Sequence, residues 1–327
     1  MATVYHSVIR SFPKGYSMVF AYGSGVMRQM GQSTVSSNMM DFVFAVHEPL
    51  DWHRENIRLN PRHYSSVRFL GATCVENMQT SWGAELYYNT LVPTHAGLIK
   101  YGVISRGALI ADLLEWETLY VAGRLHKPVL MLHLASKDTE LRRALQVNLY
   151  AAVHTSLLLL PDTFTEQHFY HTLAGLSYAG DFRMYVGEDP NKVRNIVAAQ
   201  LQEFRSLYAP ILSSLHEYCA VDSTTGQGMQ DTSPQAKHYH LSMLPRRLQM
   251  ALVRECNRDG RTRDLEEVLR GAAGDPDAAD MINIGVSSIV QRPSFTQALK
   301  GILTAGLWKS LKYSAAKVKK KISSYQR

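Results

Sequence analysis

The stretch "SMVFAYGSGV", residues 17–26, places a Gly-Ser-Gly turn directly after an apolar run that predicts a buried β-strand. Glycine lets the backbone approach an anion closely, the serine hydroxyl can donate to it, and the free N–H groups of a following helix favour negative charge. The stretch therefore has the chemistry of a phosphate cradle, although a Gly-Ser-Gly after a strand is commonly just a turn. The GxxxxGK[ST] motif of P-loop proteins does not occur in the sequence.

A carboxylate follows this turn at the start of the next apolar run. Asp41 opens "DFVFAV", residues 41–46, which predicts a second buried strand. A lone acid at this position either meets solvent at the end of the strand or binds a ligand. Mg²⁺ held by a carboxylate, and bridging triphosphate oxygens beside a Gly-Ser turn, is an apparatus for nucleotidyl transfer.

The pattern of apolar residues divides the chain into two halves and a tail. Residues 18–135 predict a mixed α/β fold, and from about Leu141 the pattern changes to helices. Residues 222–235, rich in Ser, Thr, Gly and Gln, indicate an exposed loop. We therefore expect an α/β domain over residues 1–138, a mostly helical domain over residues 139–294 and a basic tail over residues 295–327. The β-rich runs are "SMVFAY", "DFVFAV", "AELYYN" and "LIKYGVIS", with "KPVLMLHL" as a further candidate.

Charge and cysteine content exclude several classes of protein. Eight of the 35 basic residues and none of the 28 acidic residues lie between Lys300 and Arg327, so residues 1–299 hold 27 basic against 28 acidic residues. The three cysteines are far apart, which argues against a disulfide framework or a zinc site. No apolar run is long enough to cross a membrane. The first forty residues lack acids, and Val4, Val8 and Phe12 recur at i+4 spacing, which is compatible with an organelle-targeting segment.

The basic tail predicts an amphipathic helix. Its composition is typical of an interfacial anchor on an anionic membrane, although the same segment could also bind RNA or simply be exposed to solvent. On a helical wheel the apolar positions share one face, and most of the lysines lie elsewhere. The candidate membrane residues are Leu307, Trp308, Lys309, Leu311, Lys312, Val318, Lys319, Lys320 and Ile322.

Six segments resemble, in order, the mitochondrial phosphatidate cytidylyltransferases of the Tam41 type. The likeness covers nearly the whole chain, and several of the motifs are long. The segments are "YGSGV" (22–26), "DFVFAV" (41–46), "WHRENIRLNPRHYS" (52–65), "LIKYGVIS" (98–105), "LYVAGRLHKPV" (119–129) and "GLSYAGDFRM" (175–184).

The resemblance implies a fold and a reaction that the residues alone do not reveal. It implies a nucleotidyltransferase fold, then a helical domain of winged-helix type, then a C-terminal amphipathic helix. The implied reaction joins CTP and phosphatidic acid to give CDP-diacylglycerol and pyrophosphate, with Mg²⁺ as cofactor. The implied place is the matrix side of the inner mitochondrial membrane, held peripherally, where the product feeds cardiolipin and phosphatidylglycerol synthesis.

The resemblance also assigns roles at the turn and at the acid. Gly23 and Ser24 match the family's Gly-Ser motif and are expected to bind the CTP phosphates, and Asp41 is the expected catalytic metal ligand. Val43 stands where the wider nucleotidyltransferase superfamily carries a second acid. Asp181 is our candidate for that missing ligand, with Glu48 and Asp112 as further alternatives. Arg183 beside Asp181 is a candidate substrate contact, and the alternative for this pair is a local salt bridge.

Further candidates follow from the charge of the two substrates. Cations and metal must stabilise the negative charge that moves onto pyrophosphate. Lys100, with Tyr101 next to it, lies in a strand pattern where an inward-facing lysine needs an anionic partner. The remaining candidates for substrate binding are His63, Tyr64, Ser65, Arg124 and Lys127, each of which could instead be capping or surface polarity.

Two other functions stay open at this stage. The same Gly-Ser and Asp41 apparatus could serve a nucleotidyltransferase that acts on RNA or protein, although no basic surface with interleaved aromatic residues occurs outside the tail, so we expect no nucleic acid partner. A catalytically degenerate, membrane-bound scaffold is the second alternative, and the absent second carboxylate favours it.

Overall fold

The computed structural model describes residues 2–27, 39–186 and 189–305. Its first half is built on a mixed five-stranded sheet in the order β3-β4-β2-β1-β5. β2 and β4 run parallel, and the other neighbouring strands run antiparallel. The predicted runs are confirmed as strands: β1 (Tyr16–Tyr22), β2 (Met40–Val46), β3 (Leu86–Thr94), β4 (Gly97–Ser105) and β5 (Leu130–Leu134).

Alternation along β2 divides the sheet into two faces. Val43 and Ala45 are buried in the core that the sheet shares with the helical half, whereas Phe42, Phe44 and Val46 are buried in a smaller core on the other face. Because side chains two residues apart share a face, Asp41 projects from the same face as Val43. The sheet thus presents Asp41 toward the larger core at one end of β2.

Five helices accompany this sheet. Val8 and Phe12 of the acid-free N-terminal stretch are buried in the smaller core, while Val4 is exposed. Two of the three residues with i+4 spacing, Val8 and Phe12, therefore pack in the core of this structure. The helices are α1 (Ala2–Ile9), α2 (Pro49–Leu59), α3 (Ala72–Ser81), α4 (Arg106–Glu115) and α5 (Ala122–Leu125).

The second half is mostly helical, as the pattern after Leu141 predicts. Its helices are α6 (Thr139–Leu159), α7 (Glu166–Gly175), α8 (Phe182–Val186), α9 (Lys192–Ala199), α10 (Leu201–Ser214), α11 (Pro234–Ser242), α12 (Arg246–Cys256), α13 (Leu265–Gly274) and α14 (Ala278–Ala305). Among the described residues, no helix is long and apolar enough to cross a membrane.

The prediction of a loop over residues 222–235 is wrong in part. β7 (Cys219–Asp222) and β8 (Gln227–Gln230) form an antiparallel hairpin, and β6 (Thr163–Thr165) joins it in a small sheet with the order β6-β8-β7. Gly228 lies against the ring of Phe164, where a Cβ would come within 2.4 Å of a ring carbon. Polar composition hid this hairpin because its strands are four residues long and bury little apolar surface.

Helix α14 runs through residue 295, where the sequence placed the start of the tail. The Gln297 side chain donates to Leu86 O (2.9 Å) and accepts from Ala84 N (3.1 Å), which docks the helix on β3. Lys300 is 1% exposed, and its amine donates to the carbonyls of Gln79 (3.1 Å) and Trp82 (2.5 Å). Residues 295–305 therefore belong to the packed fold, and Lys300 is not part of a solvated basic face.

The predicted membrane residues from Leu307 to Ile322 lie outside the described residues.

Candidate active site

The Gly-Ser turn and Asp41 lie side by side at one end of the sheet. Asp41 pairs in register with Tyr22 on β1 and with Lys100 on β4, so the three residues form one row across three strands. Gly23 has a φ of +78°, and a Cβ on it would lie 3.2 Å from Asp41 Oδ2. The carboxylate therefore lies against the turn that was expected to bind phosphate.

The backbone of Gly25, in the same turn, lies so close to Met39 that only glycine fits. A Cβ at this position would lie 2.3 Å from the carbonyl oxygen of Met39, immediately before β2. The amides of Val26 and Met27 both donate to Gly23 O, at 3.0 and 2.8 Å, and close the turn. Glycine at both ends thus lets the backbone fold tightly against the strand that carries Asp41.

Tyrosine rings hold the cations of this site. The Lys100 amine lies 4.0 Å from the centroid of the Tyr88 ring, and the hydroxyls of Tyr88 and Tyr22 are 3.0 Å apart. The Arg124 guanidinium carbon lies 3.9 Å from the Tyr120 centroid and 5.5 Å from that of Tyr22. Cation–π contacts stabilise the positive charges without neutralising them.

Arg183 reaches the same cluster from the helical half. Its guanidinium carbon lies 5.6 Å from the Tyr120 centroid. Its nitrogens contact both carboxylate oxygens of Asp181, the shortest contact being 2.5 Å, and its backbone amide donates to Asp181 Oδ1 at 3.0 Å. Asp181 is 1% exposed, so the geometry favours the alternative that its carboxylate orients Arg183 over the role of second metal ligand.

The cluster carries a strongly positive potential. Burial by itself would raise the pKa of the Tyr120 phenol, but the positive charges of Arg124, Arg183 and Lys100 outweigh it and lower this pKa to about 7. Lys127 is the fourth predicted cation, and burial and then the nearby charge of Arg124 lower the pKa of its amine well below the usual range. An anionic substrate would be attracted to this group of cations.

Asp112 organises the loop that carries Tyr120, a role that the sequence did not reveal. Its buried carboxylate accepts hydrogen bonds from the amides of Leu119, Val121 and Ala122 and from both the amide and the hydroxyl of Thr118, at 2.8–3.0 Å. All of these donors flank Tyr120 or begin the helix that contains Arg124. The one signal in the sequence is an acid on the apolar side of α4, which burial would make costly without such partners.

Four of the predicted substrate contacts lie on the other face of the sheet. Tyr101 follows Lys100 on β4, so its side chain points away from Asp41 into the smaller core. There its hydroxyl accepts from Asn56 at 2.9 Å and lies 3.2 Å from His63 Nδ1. Tyr64 is bonded to His53 and Asn56, and Ser65 caps a short 3₁₀ turn. The structure therefore does not bring His63, Tyr64, Ser65 or Tyr101 to the Asp41 cluster.

A family model described as "Phosphatidate cytidylyltransferase, mitochondrial" matches residues 5–320. The chain belongs to this family. Proteins of the same name from Danio rerio, Xenopus laevis and Bos taurus are 48%, 44% and 44% identical to it over 328, 325 and 317 residues. These alignments cover 100%, 99% and 97% of this chain and 96%, 96% and 93% of the three relatives.

In this member of the phosphatidate cytidylyltransferase family, the residues around Asp41 fit a magnesium ion with a single protein carboxylate. Val43 is fully buried in the larger apolar core, where an ionised second acid would be costly to bury. Over residues 2–27, 39–186 and 189–305, no three side chains of His, Cys, Asp or Glu gather around a potential metal position. Mg²⁺ accepts such a site because it commonly keeps several waters and binds substrate phosphates.

Proposed function

We infer that this chain transfers the cytidylyl group of CTP to phosphatidic acid at the cluster around Asp41, giving CDP-diacylglycerol and pyrophosphate. The family supplies the reaction, and the site assignment rests on one observation. The Gly23 turn, the Asp41 carboxylate and Lys100 meet in one row, and Arg124 joins them through the Tyr22 ring. A phosphate-binding turn, a metal-binding acid and cations for a triphosphate are the parts that nucleotidyl transfer requires.

The reaction is a displacement at the α-phosphorus of CTP. An oxygen of the lipid phosphate forms a bond to the α-phosphorus, and the bond from that phosphorus to the bridging oxygen breaks, so that pyrophosphate leaves with the electron pair. The lipid phosphate is already largely anionic near pH 7, so the step requires no general base and no covalent enzyme intermediate. Bringing two anions together is the main obstacle, and positioned cations lower it.

Each residue of the cluster has a place in this displacement. The backbone of Gly23 and the hydroxyl of Ser24 bind the β- and γ-phosphates. Asp41 would hold Mg²⁺, which when bound neutralises triphosphate oxygens and orients them. Lys100, Arg124 and Arg183 stabilise the negative charge that moves onto the leaving pyrophosphate, and Asp181 and Asp112 keep the cations and their loop in position.

We also propose how the enzyme meets its lipid. The relatives are named mitochondrial, and the described helices include none that could cross a membrane. A peripheral enzyme on the matrix side of the inner membrane, bound to anionic lipid through the basic helix at residues 307–322, fits a substrate that stays in the bilayer. Within the helical half, we interpret the β7–β8 hairpin as the wing of a winged-helix-like domain.

The assay for this function uses purified full-length protein with CTP, Mg²⁺ and vesicles that contain phosphatidic acid. We expect CDP-diacylglycerol and pyrophosphate in equal amounts. Transfer of CMP to RNA or protein, without any lipid product, would replace this function with the alternative nucleotidyltransferase. No turnover with any of these acceptors would favour the scaffold.

A further inference from the structure

We propose that Lys192 and Lys127 form a second anion-binding position, which takes the phosphate monoester of the lipid acceptor rather than the triphosphate of CTP. This inference rests on the proposed function, because it divides the cations of the cluster between the two substrates of that reaction. Lys192 lies at the start of α9, in a segment that the family motifs quoted above do not include.

Both lysines lie around one aromatic ring. The amine of Lys127 is 5.0 Å from the centroid of Tyr178, and the amine of Lys192 is 5.4 Å from the same centroid, so the two amines lie within about 10 Å of each other. The Lys127 amine also donates to Ser177 Oγ at 2.9 Å and to Gly123 O. Two amines and a hydroxyl, all of them able to donate a hydrogen bond, therefore lie in the neighbourhood of Tyr178.

Neutral groups hold the Lys127 amine. Within the part of the chain that the structure describes, no carboxylate lies at ion-pair distance from the Lys127 amine. Burial, together with the positive charges of Arg124 and Lys192, lowers the pKa of Lys127 well below its usual range. A phosphate bound beside the Lys127 amine would offset this repulsion and stabilise the charged form of Lys127.

The place of the two lysines in the cluster favours the acceptor over the donor. Arg124 contacts Tyr22, which pairs with Asp41, and it is also close enough to Lys127 for its charge to lower the pKa of that amine. The cations thus extend from the triphosphate end, at Asp41, toward Lys192 in the helical half. In a displacement at phosphorus, the attacking and leaving oxygens lie roughly in line on opposite sides. The end away from the Gly23 turn is therefore the side from which the lipid phosphate approaches.

Steady-state kinetics of Lys192→Ala with a water-soluble acceptor, dihexanoyl phosphatidic acid, test this division. A monomeric acceptor separates headgroup binding from membrane binding. We expect the KM for the short-chain phosphatidic acid to rise about tenfold or more, as for the loss of one charge-assisted hydrogen bond, and the KM for CTP to stay unchanged. Lys192→Arg should recover most of the loss. Lys137→Ala, which removes an exposed lysine between β5 and α6, is the matched control and should behave as wild type.

The possible results are distinguishable. A rise in the KM for CTP alone would assign Lys192 to the donor site and overturn the inference, as would unchanged values for both substrates. In each of these cases the wild type still makes CDP-diacylglycerol, so the proposed function survives. If the wild type makes no lipid product, the proposed function falls and this division falls with it.

Discussion

Replacing Asp112 by asparagine tests whether this carboxylate fixes the loop that carries the cations. Oδ1 accepts from Thr118 N, Thr118 Oγ1 and Leu119 N, and Oδ2 accepts from Val121 N at 3.0 Å and Ala122 N at 2.9 Å. An asparagine can keep the first set through its oxygen, but its NH₂ group then faces the other two amide donors. Losing two charge-assisted hydrogen bonds, each of about 1.5–3 kcal/mol, destabilises the fold by roughly 3–6 kcal/mol.

This loss is a large part of the total stability of a folded domain, about 5–15 kcal/mol. We expect Asp112→Asn to lower the free energy of unfolding in urea by the roughly 3–6 kcal/mol of the two lost hydrogen bonds. We also expect a lower kcat, because Tyr120 and Arg124 lose their fixed positions. Asp264→Asn is the matched control. Asp264 is exposed and caps α13 through a single bond to Glu267 N (2.9 Å), and asparagine is an equally good cap. An Asp112→Asn variant as stable and as active as Asp264→Asn would refute the reasoning.

Three further changes separate local effects on the site from effects on the fold. Gly23→Ala and Gly226→Ala should each lose about 1–2 kcal/mol of stability in thermal melts, because both glycines have a φ near +70° to +80°. Only Gly23→Ala should also lose at least about tenfold in turnover, because its Cβ meets the catalytic carboxylate, whereas Gly226 faces open space. Burial lowers the pKa of Lys300 in the folded protein to about 8, from 10.5 in the unfolded chain. Between these two pH values the unfolded chain binds more protons, so the free energy of unfolding of the wild type should rise with pH by about 3 kcal/mol. Lys300→Met should abolish this rise. Equal pH slopes in urea titrations of both proteins would contradict this. Removing residues 306–327 should abolish flotation with anionic liposomes at an unchanged melting temperature. Removing residues 296–327 should also lower the melting temperature, because the contacts of Gln297 and Lys300 are lost. An unchanged melting temperature for both would show that residues 296–305 do not contribute to the fold.

The five strands were predictable from the sequence because each is a short apolar run bounded by turn residues. The pairing of Gly23 with Asp41 was predictable for the same reason: a turn that ends β1 and an acid that begins β2 meet when the two strands pair antiparallel. Lys100 joined them because its run pairs in register with that of Asp41. Local chemistry and strand pairing thus account for the centre of the site.

The positions that sequence reasoning missed depend on which face a side chain occupies and on long-range packing. Lys100 and Tyr101 are adjacent in sequence, yet alternation sends them to opposite faces of the sheet. The charge of Lys300 suggested a solvated tail, but the carbonyls that receive its amine belong to α3 and the turn after it, more than two hundred residues away. The partners of Lys300 could not be read from the neighbouring sequence, and those of Asp112, six to ten residues downstream, depend on how the loop folds back against α4.

Glu85 illustrates a further limit. Its φ is +52°, in the left-handed region that favours glycine. Burial, and then the charge of Asp112, raise the pKa of its carboxyl group. Nothing in the structure explains why a glutamate occupies this position.

The central claim is that Asp41 and the cations around it transfer a cytidylyl group to phosphatidic acid. The most direct test follows the transfer of ³²P from [α-³²P]CTP into lipid by wild type and by Asp41→Asn, at saturating Mg²⁺ and with melting temperatures recorded for both. We predict labelled CDP-diacylglycerol from the wild type and a loss of about a thousandfold in Asp41→Asn at an unchanged melting temperature, since the metal contributes several kcal/mol to the transition state. Labelling of lipid by Asp41→Asn at a rate near that of the wild type would contradict the claim.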